Sequence, residues 1–208
     1  MRPYYQDEFV TLYHGDCREV GEWRSAYSMV TDPPYGMDYK SGWSGADIAN
    51  DATTRVRDEM LKLWGADQAA LVFGRWSCPR PAATRHVLIW DKGDWPGMGD
   101  LTLPWGPSTE EVYVIGTGFV GKRRGSILRD PKRPSGGTAW HPTEKPIGLM
   151  EMLVQSTLGI VADPFSGSGS TLIAAKNLGR KAIGVEVEER YCEIAAKRLA
   201  QGVLWGVA

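Results

Sequence analysis

Asp32-Pro33-Pro34-Tyr35 follows an apolar run, Tyr27–Thr31. Two consecutive prolines fix two φ angles and remove two backbone donors, so the tetrapeptide is stiff. Stiffness leaves the Pro33 carbonyl oxygen in a set direction beside the Asp32 carboxylate. Two aimed acceptors match the two N–H donors of an exocyclic amine. Tyr35 adds a flat face on which a planar base can stack, as in enzymes that hold an extruded nucleotide. The plain structural alternative is a rigid turn.

A second group lies far along the chain. Asp163-Pro164-Phe165-Ser166-Gly167-Ser168-Gly169 follows an apolar stretch and precedes a helical pattern. Glycines at such a place let the backbone approach a ligand where a Cβ would clash. Glu186 ends the next strand-like run, where a carboxylate can accept both ribose hydroxyls of a nucleoside cofactor. No Gly-Lys-[Ser/Thr] follows, and the spacing is not the full G-x-G-x-x-G. A tight strand-to-helix turn is the alternative. Cys17, Cys78 and Cys192 are far apart, without metal-ligand spacing, and read as reduced thiols of a cytoplasmic protein.

The elements that must position these groups follow from periodicity. Strands are expected at Val10–Tyr13, Tyr27–Thr31, Ala69–Phe73, His86–Asp91, Glu111–Ile115, Ile160–Ala162 and Lys181–Glu186. Arg75–Thr84 reads as a short connection containing a helical turn. Helices are expected at Asp51–Gly65, Pro146–Thr157, Ser170–Leu178 and Glu188–Ala200, with Gly65 and Gly179 as stops. Strand, glycine loop, helix, strand and acid in series form a βαβ unit. Gly36 to Asn50 has turn chemistry and no periodicity and reads as a mobile loop, of which Met37–Asn50 is placed to close over an extruded base.

Composition bounds the rest. The 208 residues suit one domain, and 42% hydrophobic with 24% charged residues are ordinary for a globular chain. The formal charge is −1, which argues against a uniformly basic protein but not against a local patch. No apolar run approaches a membrane span, and the N-terminus lacks signal-peptide character. Thr117–Trp140 lacks a core pattern. It carries Lys122, Arg123, Arg124, Arg129, Lys132 and Arg133 against one acid, Asp130. Such a run is either a solvated loop or a phosphate-contacting surface.

Asp32-Pro-Pro-Tyr35, then His141-Pro-Thr-Glu-Lys-Pro146, then Asp163-Pro-Phe-Ser-Gly-Ser-Gly169 resembles the S-adenosylmethionine-dependent DNA amino-methyltransferases. The tetrapeptide precedes the glycine loop, as in the permuted β class of that family. The resemblance runs from Gly15-Asp16 to the C-terminal helix. It implies a three-layer Rossmann-like α/β fold, a mostly parallel seven-stranded sheet with one antiparallel strand built from Glu111–Ile115. It implies one catalytic domain over residues 1–208, with a short DNA-contact insertion at about 117–140.

The resemblance also assigns residues. S-adenosylmethionine (SAM) is the implied cofactor, with no metal. Asp163, Phe165, Ser166, Gly167, Ser168 and Gly169 would line its site, Glu186 would take the ribose, and Asp16 would contact the adenine end. Thr143 and Lys145 would meet the methionine end, although Thr143 could equally cap the following helix. Asp32 would serve both the methionine ammonium and the target amine, with Pro33, Pro34 and Tyr35 completing the catalytic segment. Aspartate at the first tetrapeptide position implies adenine N6 as the target, where serine would imply cytosine N4. DNA is the implied partner, contacted by Lys122, Arg123, Arg124, Arg129, Lys132 and Arg133. The shortness of that region implies a brief or relaxed target site, or help from a homodimer partner. Compactness suggests a phage or prophage origin. Trp43, Trp95 and Trp105 would either stack on bases or anchor their loops.

The alternatives within methyl transfer are cytosine N4 or an amine in RNA. Outside it stand a catalytically silent SAM- or nucleic-acid-binding module, and a dehydrogenase-like α/β enzyme. The dehydrogenase would leave the Asp-Pro-Pro-Tyr and His-Pro-Thr-Glu-Lys-Pro segments unexplained.

Overall fold

Ala70–Gly74 is buried at every position, the signature of a strand covered on both faces. Its side chains alternate between two cores. Leu71 and Phe73 pack with Val10, Leu12, Val30 and the helices of residues 147–200. Ala70 and Val72 pack with Met29, Ala162, Val185, Met60 and Trp64 on the other side. A sheet with helices on both faces follows directly.

The computed structural model describes residues 1–34, 53–93, 99–129 and 144–201. The strands are β1 (Tyr5–Gln6), β2 (Val10–His14), β3 (Ser28–Thr31), β4 (Ala70–Gly74), β5 (Thr84–Asp91), β6 (Thr109–Ile115), β7 (Ile127–Arg129), β8 (Val161–Asp163) and β9 (Ala182–Glu186). The helices are α1 (Arg55–Trp64), α2 (Ile147–Gln155), α3 (Ser170–Asn177) and α4 (Glu189–Ala200). The sheet order is β1-β2-β9-β8-β3-β4-β6-β5-β7. Among the described residues, no helix is long and apolar enough to cross a membrane.

The expected architecture holds, with differences at the edges. Among the described residues the sheet has nine strands, where seven were expected. The additions are β1, which pairs antiparallel with β2, and β7, which pairs parallel with β5. Both are too short for a periodicity signal. β7 lies in the basic stretch that lacks a core pattern. β6 is antiparallel to β4 and to β5, as expected of Glu111–Ile115. A 3-10 turn at Glu22–Ser25 was also not foreseen. It buries Trp23, which stacks on Trp64 at 5.8 Å and donates to Cys17 O at 2.8 Å. Residues 75–83 form turns with no helical turn.

α2 begins at Ile147 with Pro146 as its N-cap and no side-chain cap. Thr143, three residues upstream of that cap, is therefore not the N-cap and lies outside the described residues. Arg180 supplies the other end. Its Nη1 donates to Val154 O and Thr157 O, both at 2.8 Å, satisfying carbonyls that a helix end leaves open. Leu149, Met150, Leu153 and Val154 bury one face of α2.

Candidate active site

Strand order reverses between β8 and β3. β8 leads through α3 to β9 on one side, and β3 leads through α1 to β4 on the other. Loops leaving the two carboxyl ends diverge there and open a crevice, the usual ligand position in a doubly wound sheet. Asp32 leaves β3 at this point and the glycine loop leaves β8. The two segments singled out above are therefore neighbours, although they are far apart in the chain.

The glycine loop is held from within. Ser166 N–H donates to Val185 O at 2.9 Å, and Ser166 Oγ to Asp163 O at 2.8 Å. Gly169 N–H donates to Ser166 O at 2.8 Å. Gly169 has φ +87°, and a Cβ there would stand 3.1 Å from Ala195 Cβ on α4, so glycine serves both the turn and the close helix packing. Arg198 of α4 donates to Ser168 O at 2.7 Å and to Ser168 Oγ at 2.9 Å, and also to Glu144 Oε1 at 2.6 Å. One guanidinium thus ties the glycine loop to the segment entering α2.

A cleft runs across the carboxyl ends of β2, β9 and β8. It is lined by Gly15, Asp16, Cys17, Val56, Pro164, Phe165, Glu186 and Val187. Phe165, Glu186 and Asp16 therefore face one space. Asp163, Ser166 and Ser168 are buried, and their side chains bond to Thr31, Asp163 O and Arg198 respectively. They shape the loop that lines the cleft.

The carboxylates of the site differ in environment. Burial pushes Glu186 up, against N–H bonds from Glu188 to Oε1 and Gly167 to Oε2, both at 2.8 Å. Each carboxylate oxygen retains a lone pair for a further donor. Arg18 holds Asp16 below its usual range through Nε–Oδ1 at 2.9 Å and Nη2–Oδ2 at 2.5 Å. Burial pushes Asp163 up to about 6, despite a bond from Thr31 Oγ1 at 2.7 Å and one from Phe165 N–H at 3.2 Å.

At the mouth of the crevice Lys145 is buried. Its Nζ lies 2.5 Å from Asp32 Oδ2, 3.2 Å from Glu110 Oε2 and 4.9 Å from the Phe73 ring centroid. Burial alone would lower its pKa, but Asp32 and Glu110 outweigh this and raise it. Glu110 also pairs with Lys92 at 2.5 Å. Glu110, Lys92, Arg18 and Arg198 escaped the sequence reading. The pair Lys92 and Glu110 sits on β-strand ends with no motif around it, and only the strand pairing of β5 with β6 brings them together.

The basic segment is not gathered in one place. It begins at the amino end of the sheet, where Val120 N–H bonds to Ser156 O at 2.9 Å. It reaches the carboxyl end only at Arg129, which pairs with Asp91 at 2.9 Å. Lys122, Arg123 and Arg124 are exposed on the connection between, so the structure does not bring them to the crevice. Lys132, Arg133, Tyr35, Thr143, Trp43, Trp95 and the loop after Tyr35 lie outside the described residues. Trp105 is 78% exposed, which removes the reading that it anchors its loop in the core.

Comparison with known proteins agrees with this layout. A family described as DNA methylase, of the N6/N4 methyltransferase type, matches residues 89–197. The chain is 32% identical to the Type II methyltransferase M.ScaI of Streptomyces caespitosus, in a match covering 95% of this chain and 84% of that one. It superposes on the crystal structure of the M1.HpyAVI–SAM complex with a TM-score of 0.65 and 25% identity, covering 91% of this chain and 99% of that one. The cytosine-N4-specific PvuII DNA methyltransferase shares the fold, with a TM-score of 0.73 and 16% identity over 100% of this chain and 91% of that one. With its crevice, its glycine loop and these relatives, the chain belongs to the N6/N4 amino-methyltransferase family of DNA methylases.

Proposed function

We propose that the protein transfers a methyl group from SAM to the exocyclic N6 of adenine in duplex DNA, acting on a base turned out of the helix. The observation that carries this is the placement of Asp32 at the strand-order reversal, beside a cleft whose walls suit a nucleoside. Glu186 is buried there with lone pairs open for ribose hydroxyls, Phe165 supplies a flat apolar face, and Asp16 stands at the far end.

The bound cofactor supplies a methyl group already activated by its sulfonium. The amine of a base is a poor nucleophile because its lone pair is delocalised into the ring. Asp32 and the Pro33 carbonyl accept its two N–H groups, draw the nitrogen toward tetrahedral geometry and localise that pair. The nitrogen then forms the new N–C bond as the C–S bond breaks, and the cationic product loses a proton through Asp32 to water. Positioning supplies much of the acceleration. Aspartate at position 32 supports adenine over cytosine. Arg129 is the described basic residue of the segment that reaches the carboxyl end of the sheet, and it is the better candidate for phosphate contact.

Incubation with SAM and unmethylated duplex DNA, followed by digestion and nucleoside mass spectrometry, tests this. N6-methyldeoxyadenosine that disappears in Asp32→Ala is the expected result. N4-methyldeoxycytidine would overturn the base assignment and keep the chemistry. SAM binding with no product from duplex, single strand or RNA would overturn the catalytic reading in favour of a silent binding module.

A further inference from the structure

The contact between Lys145 and Asp32 poses a problem for the mechanism. An aspartate whose Oδ2 is held at 2.5 Å by a buried ammonium has that oxygen engaged and its charge partly neutralised, so it is a weaker acceptor for the amine of a base than a released carboxylate. Withdrawal of the ammonium from Asp32 loses a close buried ion pair, which is unfavourable unless another buried carboxylate takes it up.

The structure offers a second seat. Glu110 Oε2 is buried and has no aligned hydrogen-bond donor among the described residues. Lys145 Nζ stands 3.2 Å away, within ion-pair distance but not directed at it. The other oxygen, Oε1, is held by Lys92 at 2.5 Å, so the carboxylate cannot turn away to satisfy itself. Burial alone would raise the Glu110 pKa, but Lys145 and Lys92 overcome it and hold the group low, hence ionised. A buried acceptor left open in this way calls for an explanation.

We propose that Glu110 is a positioning residue for methyl transfer, the alternative seat to which the Lys145 ammonium moves when Asp32 takes the substrate amine. The inference rests on the proposed role of Asp32. The move needs only a reorientation of the ammonium about a nitrogen already in reach of both carboxylates. Lys92 fixes Glu110, Glu110 receives Lys145, and Asp32 is released with every buried charge still paired. No proton is transferred and no bond is made in this step.

Glu110→Gln and Glu110→Asp test it, with wild type in the same assay. The amide keeps the shape but is a neutral, weaker seat, so Asp32 stays occupied. The expected result is a fall in kcat of about tenfold or more with KM for SAM within about threefold, since cofactor binding does not require the move. Glu110→Asp keeps the charge and recovers at least part of kcat. Thermal melting of both variants establishes that they are folded. An active wild type with Glu110→Gln within about twofold of it in kcat would overturn the proposal. Equal loss in both variants, accompanied by lowered melting temperatures, would also overturn it, since Glu110 would then be a packing residue. A wild type that binds SAM but is silent on every nucleic acid removes the role of Asp32, and this proposal falls with it.

Discussion

Thr31 Oγ1 donates to Asp163 Oδ1 at 2.7 Å, joining the last residue of β3 to the last residue of β8. The bond closes the sheet at the point where strand order reverses. It couples the strand that carries Asp32 to the strand that carries the glycine loop. Because both partners are buried, it is worth more than its surface equivalent, and losing the Thr31 hydroxyl leaves Asp163 Oδ1 with the longer bond from Phe165 N–H at 3.2 Å.

Thr31→Val removes the donor and keeps the volume. The expected cost is about 1–3 kcal/mol of stability, read from urea unfolding. SAM affinity should fall as well, because the glycine loop loses its tie to β3.

Asp163 gives a pH signature of definite sign. Its folded-state carboxyl is raised from 3.8 to about 6, so the folded protein binds a proton that the unfolded chain releases. Its contribution to stability is greatest below the unfolded value and declines as pH rises through the folded one. Between pH 5 and 7.5 the loss is about 1 kcal/mol, or about 3 °C for a chain of this length. Asp163→Asn should therefore show a smaller drop in melting temperature across that interval than wild type. Glu186, raised by burial in the same direction, accounts for part of the slope that remains.

Glu186→Ala should separate cofactor binding from folding. In wild type, SAM or its demethylated product at about 100 times Kd stabilises by about 2.7 kcal/mol. That shift should largely disappear in Glu186→Ala, with circular dichroism unchanged. The Gly167 N–H loses its acceptor in the same variant, so the loop that lines the cleft loosens as the proposed ribose contact is removed.

Gly184→Ala is an overpacking test. A Cβ at this position would lie 2.4 Å from Ser166 Oγ and 2.6 Å from Leu172 Cδ1. Both belong to the glycine loop and the helix that follows it. The expected cost is about 1–3 kcal/mol, and SAM binding should weaken in parallel because relief of the clash pushes Ser166 toward the cleft.

Within the basic segment, position in the fold should outweigh charge count. Replacing Lys122, Arg123 and Arg124 together with alanine should change duplex affinity by less than about threefold. Arg129→Ala, although it removes one charge, should weaken binding and reduce the magnitude of the salt slope by about one. Fluorescence anisotropy across a salt series measures both.

The core elements were legible in the chain because each buries a face whose period is local. Ala70–Phe73 and Ala182–Glu186 are apolar on both sides of the pleat, and α2 repeats its leucines and methionine at helical spacing. The motif segments were legible for a similar reason: a double proline or a glycine pair constrains the backbone wherever it occurs. The two-residue β1 and three-residue β7 were not, since pairing partners rather than their own sequence make them strands.

The sequence by itself determined the fold class, the residue types at the strand ends and the order of motifs along the chain. Only the tertiary structure decided which charges share a site. Lys92, Glu110, Lys145 and Asp32 come from four separate segments, and pairing of β5 with β6 together with the entry to α2 makes them a single cluster. The same structure separated Lys122–Arg124 from Arg129, residues the sequence had placed together. Local conformation follows from local composition, whereas an ion pair depends on distance in space, and that distance is set by how the strands are ordered across the sheet.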